Sequence, residues 1–210
     1  DGCMAEVCVL PDANLLDVPD GLSDDHAVLI EPLSAACEIL EQHPLRGDER
    51  VGVLGDGKLG ILCAWVLAGA GAEVTLVGKH PEKLALARWR GLRTALAAEP
   101  LSGGFDLVVE ATGSEAGLAR AIELCRPRGT VVLKSTLAAP HLLHLAPVVV
   151  NELTLLGSRC GQFKDGLAFL ARNPDVPLGR LIAARYPIEQ AEEAFRCAAS
   201  SSLKVLLEMG

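Results

Sequence analysis

The chain has 210 residues, half of them hydrophobic, a net charge of -8 and few aromatic side chains. That length and apolar share can bury a sizeable core, in one domain with an appendage, built from aliphatic and alanine side chains. The acidic balance argues against nucleic-acid or anionic-membrane partners, since it leaves no basic stripe to neutralise phosphates, while a bound nucleotide needs only a local cluster of cations.

Seven cysteines (Cys3, Cys8, Cys37, Cys63, Cys125, Cys160 and Cys197) are scattered without a C-x-x-C pair. An odd, dispersed set reads as reduced thiols of a cytoplasmic protein, not as a disulfide frame or a structural zinc knot. Charges break the apolar runs well short of membrane-spanning length, and the first residues carry no signal-peptide pattern.

In chain order, Ala5 to Leu10 reads as an edge strand closed by Pro11 and an Asp-Ala-Asn turn. Such a strand needs a partner, and no earlier sequence supplies one, so the chain is expected to start inside a domain. Ser23 suits the N-cap of a short helix reaching Ile30. Glu31-Pro32-Leu33-Ser34 interrupts it, and helical spacing resumes from Leu33 to Gln42 or His43.

The strand Val51 to Leu54 then meets Gly55-Asp56-Gly57-Lys58-Leu59-Gly60, and an all-round apolar helix follows, stopped by Gly69 and Gly71. Next come a strand Glu73 to Val77, a helix opened by Pro81 and reaching about Arg90, a strand Phe105 to Glu110, a helix to Arg126 and a strand Thr130 to Leu133. This alternation implies parallel βαβ units with right-handed crossovers. Beyond it lie a strand Leu153 to Gly157, a helix around Gly166 to Ala171, a strand Ile182 to Tyr186, a helix Ile188 to Ala199 and a strand Leu203 to Leu207.

The order strand, G-x-G-x-x-G turn, helix is that of a dinucleotide site, and it is the firmest functional signal in the chain. Gly55 permits the sharp turn, Gly57 lets a pyrophosphate approach the backbone, and Gly60 lets helix and sheet pack closely. An NAD site places Asp or Glu at the end of the second strand, to accept hydrogen bonds from the adenosine ribose. Here that position is Gly78, followed by Lys79 and His80, with Lys83 one turn on. Without the carboxylate, and with cations nearby, a 2′-phosphate is favoured, so NADP is the expected cofactor and NAD remains possible.

Several motifs stand in one order along nearly the whole chain. They are Gly2-Cys3-Met4-Ala5-Glu6 with Val9-Leu10-Pro11, Glu31-Pro32-Leu33-Ser34, Gly55 to Gly60, Glu110-Ala111-Thr112-Gly113, Gly129-Thr130-Val131-Val132, and Ala191 to Phe195 before Leu203-Lys204-Val205. In these the chain resembles the medium-chain dehydrogenase/reductase family, in its zinc-dependent alcohol and polyol dehydrogenase branch. The resemblance implies a doubly wound Rossmann domain over residues 31–180, with helices on both faces of a parallel sheet. It implies remnants of a β-rich, GroES-like catalytic domain in residues 1–30 and 181–210. It also implies hydride transfer between an alcohol, polyol or carbonyl substrate and the nicotinamide, with zinc polarising the oxygen.

By position, Glu31 matches a residue that coordinates or adjoins catalytic zinc in polyol dehydrogenases. Ser34 and Ala35 fall where the family approaches the nicotinamide, Thr112 and Gly113 where it passes the cofactor, Ser135 and Thr136 just after the strand facing the ring, and Lys204 at a basic position on the pyrophosphate. The family's N-terminal Cys ligand, its Gly-His-Glu motif and its four-cysteine lobe have no counterpart here. One carboxylate cannot hold catalytic zinc, so zinc is doubtful in this chain and it is expected to bind cofactor but to be nearly inactive alone. Two alternatives stay open: a non-catalytic NADP(H)-binding or assembly module, and a zinc-independent quinone reductase. His26, His43 and the pair His141 and His144 lack matching ligands, and Cys160 lacks a partner base. The strand Leu153 to Gly157, as an apolar sheet edge, predicts a homodimer.

Overall fold

Short β-branched runs between glycine and proline punctuation set the strands of this chain, and the computed structural model describes residues 4–136, 142–200 and 202–209. Two compact units emerge, one formed by Asp1–Leu29 with Pro177–Gly210 and the other by Ile30–Val176. In the first unit, no strand forms over the expected Ala5 to Leu10. The ladder partner that such a strand requires is missing among the described residues, and Val7 and Val9 stay 81% and 94% exposed. Helix α1 (Asp24–Ala27) stops short of Ile30, and its N-cap Ser23 makes no side-chain capping bond.

The second unit opens with α2 (Ile30–Gln42). It begins three residues before the expected Leu33, because Pro32 falls in the first turn, where no N–H is needed for an intrahelical bond. The chain continues through β1 (Arg50–Leu54), α3 (Lys58–Gly69), β2 (Glu73–Gly78), α4 (Pro81–Ala87), β3 (Arg93–Leu96), β4 (Phe105–Glu110), α5 (Glu115–Leu124), β5 (Cys125–Leu133), α6 (Ala146–Val150), β6 (Thr154–Gly157) and α7 (Phe163–Arg172). Strands β1 to β6 form one parallel sheet in the order β3-β2-β1-β4-β5-β6. This is the doubly wound arrangement with helices on both faces.

Right-handed crossovers decide which face each helix takes. From β1 the chain moves outward through β2 and β3, and from β4 it moves the other way, so α3 and α5 cover opposite faces. On one face α3 packs on β1 and β2, with α2 stacked against both α3 and α7; on the other, α5 packs on β4 and β5. The α5 face is filled by Phe105, Val108, Ala121, Ile122, Leu124 and Val131. Helix α3 is buried almost all round, and its fully buried Trp65 donates its indole N–H to the carbonyl of Ala87 at 2.7 Å, tying α3 to the end of α4.

In the first unit, β7 (Ile182–Pro187), α8 (Ala191–Ala199) and β8 (Lys204–Glu208) form a parallel two-stranded ribbon with a helical crossover. Arg185 on β7 bridges Asp25 and Glu208, pinning α1 to the ribbon. Among the described residues no helix is long and apolar enough to cross a membrane.

Candidate functional site

Strands β1 and β4 are neighbours from which the chain departs in opposite directions, and in open α/β sheets the crevice at such a point takes the ligand. Gly55 leaves β1 with φ of 114°, a conformation that L side chains rarely adopt. A Cβ on Gly60 would press into the Gly55 carbonyl, whose carbon would be only 2.9 Å away, whereas a Cβ on Gly57 would meet open space. Gly60 therefore closes the turn onto the helix, and Gly57 leaves the turn open to a ligand. No side chain caps the start of α3. A helix start of this kind attracts phosphate.

A cleft of about 420 Å³ lies over the carboxyl ends of β1, β2 and β4. Gly55, Asp56, Gly57, Gly78, Lys79, His80 and Thr112 border it, so the structure brings these candidates together. Lys58 and Leu59 form the first turn of α3, with Gly60 behind them, and Lys83 lies on α4 away from the cleft lining.

Asp56 is the best-fixed charged group of the cleft. Its Oδ2 accepts the backbone N–H groups of Lys79 and His80, each at 2.7 Å, and the His80 ring Nδ1 stands 3.1 Å from both carboxylate oxygens. Burial pushes this carboxyl up, but the His80 N–H, the His80 ring and the Lys79 N–H outweigh it and hold the group below the ordinary aspartate range.

At the end of β4 the buried Glu110 carboxylate accepts the N–H of Thr112 at 2.8 Å and its hydroxyl at 2.6 Å. The Gly113 N–H donates to Ser135 Oγ at 2.8 Å, so the β4 and β5 loops are joined through two of the candidate residues. Thr136 follows Ser135 and is exposed. One residue earlier, the buried Lys134 donates to Ser158 Oγ at 2.9 Å and to the Arg159 carbonyl at 2.8 Å. Burial pulls the pKa of this amine down.

Sequence reasoning missed Arg120 of α5, which borders the cleft and pairs with Glu123 at 2.7 Å. Its only signal was a lone cation on the α5 face that carries Ala116 and Gly117. Lys134 was also missed; a lysine ending an apolar strand is the clue that was there to read. Lys204 is the first residue of β8, in the other unit. Glu31 is exposed in the first turn of α2.

Among the described residues no group of three or more His, Cys, Asp or Glu side chains could hold a metal ion. Catalytic zinc needs three protein ligands, and Glu31 with its described neighbours does not fit that requirement. Gly2, Cys3 and His141 lie outside the described residues. Cys160 is an exposed free thiol.

Residues 59–172, just over half of the chain, match the family model described as zinc-binding dehydrogenase. The chain belongs to that family. Among its curated relatives, D-xylulose reductase A of Aspergillus oryzae is 28% identical over 228 residues, covering 99% of this chain and 63% of the relative. L-threonine 3-dehydrogenase of Anaeromyxobacter sp. is 26% identical over 226 residues, covering all of this chain and 65% of the relative. A zinc-binding dehydrogenase-like protein of Sinorhizobium meliloti, solved bound to NADP, superposes with a TM-score of 0.87 at 25% identity, covering 99% of this chain and 66% of that one. The chain thus spans less than two thirds of the length of these curated relatives.

Proposed function

We propose that this chain is the nicotinamide-dinucleotide-binding part of an alcohol or polyol dehydrogenase that moves hydride between a CH–OH carbon and the cofactor. The observation that carries the reading is the cleft itself: a tight Gly55 to Gly60 turn at the switch point of the sheet, in a chain of the zinc-binding dehydrogenase family. The residues fit a dinucleotide, because Gly57 leaves room for a pyrophosphate against the backbone and the start of α3 offers it N–H groups. When bound, the nicotinamide would supply the hydride acceptor or donor.

The chain's own residues would hold and orient it. Gly55, Asp56, Gly57, Lys58, Leu59 and Gly60 would cradle the pyrophosphate. Gly78, Lys79 and His80 would meet the adenosine ribose, with Lys83 adding charge from a distance. Thr112, braced by Glu110, and Gly113, tied to Ser135, would border the path toward the ring, with Ser135 and Thr136 beside its far end. Lys79, His80 and Arg120 around the cleft support NADP(H), with NAD(H) admitted. Small alcohols, polyols or their carbonyl products are the substrates that this reading implies, as the names of the relatives do for those proteins.

Titration of NADH and NADPH, followed by nicotinamide fluorescence, tests this. Saturable micromolar binding is expected, with NADPH weakened several-fold by Lys79→Ala; no saturable binding of either would refute the proposal. We further infer a homodimer through β6, an edge strand whose Leu155 and Leu156 are only half-buried. Light scattering giving a monomer mass at micromolar concentration would remove that inference.

A further inference from the structure

A dinucleotide site of this topology offers a carboxylate to the adenosine ribose from the end of the second strand. Here that position, Gly78, has no side chain, yet the space beside it is filled. A Cβ on Gly78 would lie 2.5 Å from Asp56 Cβ and 2.6 Å from its Cγ, so the aspartate of the Gly-rich loop occupies the volume that an acid on β2 would need. The two positions have exchanged roles. The loop supplies the carboxylate, and β2 supplies the glycine that admits it.

The carboxylate is also aimed. Its Oδ2 takes the two N–H groups of the turn after β2, from Lys79 and His80. Among the described residues its Oδ1 meets only the His80 ring, at 3.1 Å, which leaves acceptor capacity on a residue bordering the cleft. The same two N–H groups are the donors that a 2′-phosphate would otherwise seek at this turn.

We propose that Asp56, in place of an acid on β2, is the residue that reads the adenosine 2′ position and sets the balance between NAD(H) and NADP(H). This rests on the dinucleotide reading above. A 2′-hydroxyl can donate to Oδ1. A 2′-phosphate brings its charge up to a carboxylate that already holds both turn amides. Lys79 and Arg120 pull toward the phosphate, and Glu99, also on the cleft, sides with Asp56. The neutral isostere Asp56→Asn keeps the shape and removes the repulsion. The exchange D56G/G78D returns the acid to β2, and the atoms nearest a Cβ at Gly78 all belong to Asp56, so they are removed in the same variant.

The test is equilibrium titration of NADH and NADPH against the wild type, D56N and D56G/G78D. The ratio of NADPH to NADH affinity is expected to rise at least tenfold in D56N, and to stay at or below the wild-type value in D56G/G78D. An unchanged ratio in D56N, with both cofactors still bound, overturns the proposal and leaves the dinucleotide site standing. Failure of the wild type to bind either cofactor overturns both. Should D56N not fold, the exchange variant decides: a ratio at or below wild type supports the proposal, and a shift toward NADPH overturns it.

Discussion

The carbonyl of Gly55 stands where the side chain of residue 60 would go, so the turn and the first helical turn of α3 touch backbone to backbone. Neither partner can yield as a flexible side chain would. Gly60→Ala is therefore expected to cost about 1–3 kcal/mol of stability, the usual range for overpacking. It should also displace the turn and weaken NADPH binding by at least tenfold. Urea unfolding and cofactor titration on the same sample check both; near wild-type values for the two would mean the turn can relax.

The need for glycine at residue 60 was legible in the sequence, because a Gly-x-Gly-x-x-Gly between an apolar strand and an apolar helix has few other uses; the expected reason was helix-to-sheet packing, and the neighbour found is the Gly55 carbonyl. The alternation of strands and helices behind the parallel sheet was legible too. What was not legible depended on contacts distant in sequence. The strand expected at Ala5 to Leu10 had the right alternation, but pairing is a property of two segments, and the described residues supply no second one. Strand β3, four residues of Arg-Thr-Ala-Leu, is too short and too polar to stand out before its ladder with β2 is known. Asp56 was legible as part of the Gly-rich turn, but not as the neighbour of Gly78. Its position against Gly78 follows from the β1 and β2 register, which puts Leu54 beside Val77. The missing acid of β2 was legible; the Asp56 carboxylate that accepts the Lys79 and His80 N–H groups beside Gly78 shows only once the strands are paired.

The Trp65 indole and the Ala87 carbonyl form a buried hydrogen bond between α3 and α4. Trp65→Phe keeps most of the apolar volume and strands the carbonyl. A loss of about 1–3 kcal/mol is expected, the cost of a buried polar group without its partner. Since the bond lies away from the cleft lining, NADPH affinity should change less than twofold. Parallel denaturation and titration would separate the two effects, and a large loss of affinity at unchanged stability would contradict this assignment.

Asp56 makes stability depend on pH. Its folded-state pKa lies below the ordinary value of about 3.9, so between the two the unfolded chain binds more protons and stability rises with pH. The stabilisation is complete above the ordinary value and is lost as pH falls through the folded one. At pH 7, Asp56→Asn is expected to lose about 2 kcal/mol, as two charge-assisted hydrogen bonds become neutral ones. That difference should shrink steadily below about pH 4. Urea midpoints of the two proteins from pH 7 down to pH 3 measure it, and a constant gap across that range would show that the carboxylate charge does not matter.

Lys134 acts at the opposite end of the pH scale. Burial lowers its folded-state pKa, so above that value the native amine is neutral while the unfolded one keeps its proton up to about 10.4. In that window the unfolded state binds more protons, and stability therefore rises with pH. The buried thiols of Cys37 and Cys63, each pushed up to about 12 mainly by burial, impose the reverse slope, because the unfolded chain loses those protons first. Comparison with Lys134→Met removes the lysine contribution and keeps the burial that dominates the thiol shifts, giving up only the smaller pull of the Lys134 charge on them. The variant gives up the bonds to Ser158 and Arg159, but it also no longer buries a charge, so its stability at pH 7 combines two opposed effects. The slope is the decisive quantity. Between pH 7 and pH 10 the urea midpoint of the wild type should climb relative to that of the variant, and parallel curves would mean that Lys134 keeps its proton in the folded protein as readily as in the unfolded one.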